Sequence, residues 1–156
     1  TPQSPHKKKQ SLLDNHQRLE MVYRATKAYP KLKPSAIEFD LPQPNYTVHT
    51  LAYLEEKYPE HHYALIMGED NLNSLPKWKN ADVLIKGYPI YVYPRQSSEL
   101  KKTAVFEKEA NITKIDAPIM ELSSTLIRQS IKSGKNIRPM LPAGVWDYLD
   151  EMNFYK

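Results

Sequence analysis

Apolar and polar positions along the chain change period several times, and the changes mark out alternating helices and strands. From residue 12 to about residue 29, Leu12, Leu19, Val22, Tyr23 and Thr26 keep roughly a 3.6-residue spacing, which predicts an amphipathic helix stopped by Pro30. Residues 36–41 alternate with period two and are halted by Pro42 and Pro44, the pattern of a short strand running into a loop. From Thr47 the spacing turns helical again, with Leu51, Tyr53, Leu54 and Tyr58 on one face and Pro59 at the end. Residues 62–68 form an unbroken apolar run of strand length, as expected of a central parallel strand covered on both faces. A helix opening at Ser74 is predicted to continue through Val83, Leu84 and Ile85 to Gly87, followed by a strand over residues 89–93. Residues 94 to about 111 are polar and read as a mobile loop, and residues 112–115 as a short strand. Hydroxyl residues then precede an amphipathic helix that ends near Gly134, and a final helix spans residue 142 to about residue 152.

Helices and strands alternating at this spacing predict an α/β fold, a doubly wound parallel sheet in a single domain over residues 1–156. Such a sheet normally opens with a strand whose βα turn builds the nucleotide site. This chain opens with a Pro- and Lys-rich loop and a helix. The N-terminal βα unit is therefore expected to be missing, with a segment of about 30 residues belonging upstream of Thr1.

Composition narrows the chemistry. The absence of Cys among 156 residues excludes a disulfide scaffold, a Cys-based zinc site and a thiol nucleophile. An excess of 22 Lys+Arg over 18 Asp+Glu, a net charge of +4, suits phosphorylated small molecules and is too weak to argue for nucleic acid. With 4 scattered Gly against 13 Pro there is no Gly-rich phosphate loop, so a phosphate site must come from helix N-termini and side chains. No apolar run approaches the roughly 20 residues of a membrane span, and no secretory signal pattern opens the chain. No membrane partner and a cytoplasmic location are expected.

Five stretches carry candidate chemistry, four of them with a structural alternative. Ser123, Ser124 and Thr125 at a helix start offer hydroxyls and free N–H groups at the positive end of the dipole, and Arg128 lies within about a turn of them. They form either an anion site or a capped helix with a solvated arginine. Gly68, Glu69, Asp70 and Asn71 follow the apolar strand at the edge where open α/β sheets bind ligands; Asp70 can accept from both hydroxyls of a ribose, or the stretch is a plain turn. Trp78 sits among Lys77, Lys79 and Asn80, where its indole can stack on a flat heteroaromatic ring or anchor on Pro76. Pro44, Asn45, Tyr46 and Thr47 open a helix whose amides can hold a carboxylate. His6 and the Lys7 to Lys9 run can meet another phosphate or form a solvated loop. His61 and His62 lack metal-site spacing and read as structural, and His16 and His49 lie on predicted helices without an identified partner.

Taken in order, Pro5-His6-Lys7, Pro44 to Thr47, Met67 to Asn71, Pro76-Lys77-Trp78, Tyr91 to Arg95 and Ser123 to Arg128 resemble the bacterial nicotinate-nucleotide adenylyltransferase family, over nearly the whole chain. The resemblance implies a Rossmann-like nucleotidyltransferase fold and transfer of the adenylyl group of ATP to nicotinate mononucleotide, giving deamido-NAD and pyrophosphate with Mg²⁺. It implies that Ser123, Ser124, Thr125 and Arg128 hold ATP phosphates, and Gly68 and Asp70 the adenosine ribose. Trp78 would stack on the nicotinate ring, Thr47 with Tyr46 would meet its carboxylate, and His6 with Lys7 the nucleotide phosphate. ATP and nicotinate mononucleotide are thus the expected partners, with a homo-oligomer left open. Two departures stand out. Asn45 replaces the family's usual small serine, and the family's Gly-x-Phe-x-Pro-x-His-x-Gly-His signature, which supplies its catalytic histidines, is absent from the chain. No catalytic residue is assigned, and this stretch alone is expected to have little or no activity. The competing readings are another adenylyltransferase such as the phosphopantetheine enzyme, a non-catalytic nucleotide-binding module, and a basic RNA-binding module.

Overall fold

The computed structural model describes residues 2, 13–94 and 111–156. They fall into two compact units, Leu41–Glu121 and the paired segments Thr1–Asp40 and Leu122–Lys156. The polar loop expected after residue 94 lies almost wholly outside the described residues.

The Leu41–Glu121 unit is built on three parallel strands, β1 (Leu65–Gly68), β2 (Ile90–Tyr93) and β3 (Ile112–Lys114), in the order β1-β2-β3. The register pairs Leu65 with Ile90, Gly68 with Tyr93, and Ile90 with Ile112. Helices α2 (Thr47–Lys57), α3 (Glu69–Ser74) and α4 (Ala81–Gly87) belong to the same unit. Their inward residues Val48, Leu51, Leu72, Leu84 and Ile85 make one core with Met67, Leu75, Tyr88, Ile90 and Val92. Leu75, Leu84 and Ile90 are fully buried, each contributing on the order of 2–3 kcal/mol by leaving water. Asn111 ties β3 to α4, its Nδ2 donating to the carbonyls of Ile85 and Lys86 at 3.1 and 2.9 Å and so capping the end of the helix.

The sequence expectations for this unit hold in outline and fail in two details. The apolar run over residues 62–68 predicts a strand covered on both faces, yet Ile66 is 73% exposed while Met67 is buried, and β1 lies at the edge of the described sheet. Among the described residues, α3 packs on β1 and β2 while Tyr91 and Tyr93 point outward, so one face carries the core. The single helix predicted from Ser74 to Gly87 is instead a 3-10 turn (Leu75–Lys77) followed by α4. Pro76 fits the first turn of the 3-10 segment, and Asn80 adopts a left-handed φ of 51° that no helix interior accommodates.

In the other unit, α1 (Asn15–Thr26) packs on α6 (Ala143–Glu151), and α5 (Ser124–Lys132) completes the set. Ile131, Ile137, Val145 and Leu149 form the core, with Met21, Ala25, Ile127 and Trp146 against it. Asp14 starts α1 with a reciprocal cap. Its carboxylate accepts from the His16 N–H at 2.8 Å, and Gln17 Oε1 accepts from the Asp14 N–H at 3.1 Å. Helix α1 begins and ends a few residues inside the predicted bounds. Gly144 of α6 faces Arg24 of α1, and a Cβ there would meet that of Arg24 at 3.6 Å, an ordinary van der Waals contact. The strand expected over residues 36–41 is a 3-10 turn (Ile37–Phe39). Ser35 Oγ accepts from the Ile37 N–H, Phe39 N–H donates to Ala36, and the Phe39 ring meets His16 edge-on at 5.2 Å, so local bonds replace those a strand would need from a neighbour.

Candidate active site

In the Leu41–Glu121 unit, β1 delivers the chain to Gly68, which is buried and serves as the N-cap of α3 in extended conformation. Glu69 and Asp70 occupy the first turn of that helix. Gly68 and Asp70 therefore stand at the carboxyl edge of a parallel strand, the position expected of a ribose contact.

Trp78 follows at the end of the 3-10 turn, half-buried against the core. Its Nε1–H donates to Ser74 Oγ at 3.2 Å, and Ser74 O–H donates to the Asn71 carbonyl at 2.9 Å. The relay ties the indole edge to α3 while the side chain as a whole stays only partly buried. Ser74 is thus a positioning group that sequence reading takes only as a helix start. A serine four residues before a tryptophan is too common a pattern to signal it.

Tyr46 is the N-cap of α2 and packs on the same core as Trp78. The Tyr46 side chain makes no cap bond to α2, and the first turn of the helix holds no acidic residue to offset the positive end of its dipole. Lys79 joins the two elements, with Nζ 4.6 Å from the centroid of the Tyr46 ring, and His49 meets that ring edge-on at 5.5 Å. His49, without an identified partner in the sequence, thereby acquires one. Asn45 is 5% exposed, and α2 starts at Thr47 two residues later.

In the second unit, Ser123 is the N-cap of α5, its Oγ accepting from the Leu126 N–H at 3.1 Å. Ser124 and Thr125 are exposed in the first turn. Arg128 reaches back over them, its guanidinium donating to Thr125 Oγ1 at 3.4 Å and lying 6.0 Å from the centre of the Tyr155 ring. Burial pushes the Tyr155 phenol upward, against the pull of Arg128 and Arg18. These groups make an anion-compatible helix start with a held arginine. A groove of about 930 Å³ in the same unit is lined by α1 residues, among them His16, with Tyr29, Leu32 and Tyr148, and by none of the described candidate nucleotide-binding residues. His6 and Lys7 lie outside the described residues.

A strand edge leading to a helix N-terminus in the Leu41–Glu121 unit and, in the other unit, a hydroxyl-rich helix start with an arginine are each features that nucleotide-handling α/β proteins use. The cytidylyltransferase-like family model matches residues 1–130. Proteins called "Probable nicotinate-nucleotide adenylyltransferase" from Christiangramia forsetii and Flavobacterium johnsoniae are 63% and 58% identical over all 156 residues, which span 80% of each relative's length. A solved structure of the Plasmodium falciparum nicotinic acid mononucleotide adenylyltransferase, in complex with NaAD, superposes with a TM-score of 0.76 at 17% identity, over 99% of this chain and 78% of that one. The chain belongs to the cytidylyltransferase-like nucleotidyltransferases and, within them, to the nicotinate-nucleotide adenylyltransferase family. Its α/β fold is that of the family.

Proposed function

We infer that this protein serves NAD biosynthesis by moving the adenylyl group of ATP onto nicotinate mononucleotide. The observation that carries the reading is identity above 55% along the entire chain to relatives of that name. A phosphate oxygen of nicotinate mononucleotide attacks the α-phosphorus of ATP, the bond from that phosphorus to the bridging oxygen of the β-phosphate breaks, and pyrophosphate leaves as deamido-NAD forms. Phosphoryl-type transfer asks a protein chiefly for alignment and charge stabilisation. On this reading the α5 N-terminus, with Ser123, Ser124, Thr125 and Arg128, binds ATP phosphates, while Gly68 and Asp70 bind its ribose. Trp78 takes the pyridine ring, and the Tyr46–Thr47 start of α2 takes its carboxylate. His6 and Lys7 are assigned the acceptor's phosphate, and the two compact units are parts of one nucleotidyltransferase domain. A cytoplasmic location goes with these substrates.

Nucleotidyltransfer from ATP generally uses a divalent metal, and we assign Mg²⁺. Among the described residues no group of three or more His, Asp or Glu side chains could cage an ion. Mg²⁺ would be carried on the substrate phosphates and water, where it would neutralise phosphate charge.

Isothermal titration of the purified chain with nicotinate mononucleotide tests the assignment of Trp78. Trp78→Ala should weaken binding by about 1–2 kcal/mol, roughly 5- to 30-fold, by removing the stacking face. Trp78→Phe should recover much of the loss, whereas equal affinity in all three proteins would overturn the placement of the ring.

A further inference from the structure

Lys79 follows the indole directly in the chain and reaches the Tyr46 ring at the start of α2, and its surroundings say how its charge is used. It is exposed, and among the described residues it has no carboxylate partner. Its ammonium instead rests 4.6 Å from the Tyr46 ring centroid. A ring face holds an ammonium by its quadrupole without neutralising it, leaving N–H donors for a ligand. The lysine is directed there by the chain. Trp78 is anchored through Ser74, and Asn80 turns left-handed immediately afterwards, so Lys79 projects from a short segment fixed at both sides. Tyr46, in turn, is the N-cap of α2, whose first turn holds no acidic residue and whose N-cap side chain makes no cap bond. A full positive charge and a helix start with no acidic first-turn residue therefore meet at Tyr46, and the charge is carried by the residue that follows the one assigned to the pyridine ring.

We propose that Lys79 is a specificity-determining residue that selects the carboxylate of nicotinate mononucleotide over the carboxamide of nicotinamide mononucleotide. The inference rests on the assignment of the pyridine ring to Trp78. The amide and the acid have nearly the same shape, so the stacking surface cannot separate them; charge can. An ammonium adds attraction for the carboxylate that the neutral amide does not receive. Its exposure keeps the effect in the range of solvent-screened pairs, a factor of roughly three to five.

The test is calorimetric titration of the chain with nicotinate mononucleotide and, separately, nicotinamide mononucleotide, for wild type, Lys79→Met and Lys79→Arg. Methionine keeps most of the aliphatic stem over Tyr46 and removes the charge, while arginine keeps the charge. Lys79→Met should lower the acid-over-amide ratio three- to fivefold through the acid alone, with amide affinity unchanged, and Lys79→Arg should retain the ratio. Raising the salt concentration should shrink the wild-type ratio and leave that of Lys79→Met nearly constant. An unchanged ratio in Lys79→Met, or equal losses for both ligands, overturns the role of Lys79 while leaving the ring assignment standing. A wild-type protein that does not distinguish the two ligands overturns the role of Lys79 and the carboxylate assignment together, and binding untouched by Trp78→Ala removes the ring assignment beneath them.

Discussion

Single side chains in this protein do their work through what they hold. Ser74 orients Trp78, Tyr46 carries Lys79, and Asn111 closes the end of α4. Tyr88 gives a further example with a pH signature. Its ring is buried and its hydroxyl donates to Glu55 Oε2 at 2.9 Å. Burial first, and then the hydrogen bond and charge of Glu55, raise the phenol above its ordinary value of 10.0. Because the folded value is the higher one, the stabilisation is complete below pH 10 and is lost as pH climbs through the raised folded value. Tyr88→Phe should cost about 1 kcal/mol at neutral pH and flatten part of the alkaline fall in stability. Urea unfolding across the alkaline range measures it. Tyr63 and Tyr155 are raised as well, so some alkaline slope should survive in the variant.

At the scale of elements, helix starts carry both the local stability and the candidate chemistry. The Ser123 cap of α5 is a single hydrogen bond to Leu126 N–H. Ser123→Ala should cost about 1 kcal/mol of stability. If the α5 start also binds ATP phosphates, the same variant should weaken ATP binding, and Ser123→Asp should restore the cap while repelling the triphosphate. Titration with ATP separates the two roles, since a helix that is only capped would leave ATP affinity equal in Ser123→Asp and wild type. The starts of α2 and α5 differ in a way the sequence does not advertise. Ser123 spends its hydroxyl on its own helix, whereas Tyr46 has no side-chain oxygen in reach and leaves the α2 start to other groups.

For the molecule as a whole, ligand binding should appear as stability. Anything that binds only the folded chain raises its melting temperature by mass action, about 2.7 kcal/mol at a hundredfold excess over the dissociation constant. Nicotinate mononucleotide and ATP, each supplied at that excess, should raise the melting temperature by roughly 5–10 °C for a chain of this size. A scanning-calorimetry experiment in which neither ligand moves the transition would count against the proposed function. A single-stranded RNA oligomer should produce no comparable shift, in keeping with a net charge of only +4.

The sequence by itself determined most of what is local. Proline and glycine stops, period-two and period-3.6 patterns and the Ser123 cap placed α2, β2, β3, α5 and α6 close to where they stand, because those signals act within a few residues. The order of its motifs also carries the resemblance to the family. Tertiary structure alone decided the rest. Residues 36–41 alternate like a strand but form a turn, since a strand needs a paired neighbour and alternation within a segment cannot supply one. The helix expected from Ser74 to Gly87 breaks at Trp78 to Asn80, where anchoring of the indole to Ser74 and packing on the core prevail over helical spacing. The meeting of Lys79 with Tyr46, 33 positions earlier in the chain, was equally invisible. Contacts across such separations are set by how elements pack, and a one-dimensional pattern carries no record of them.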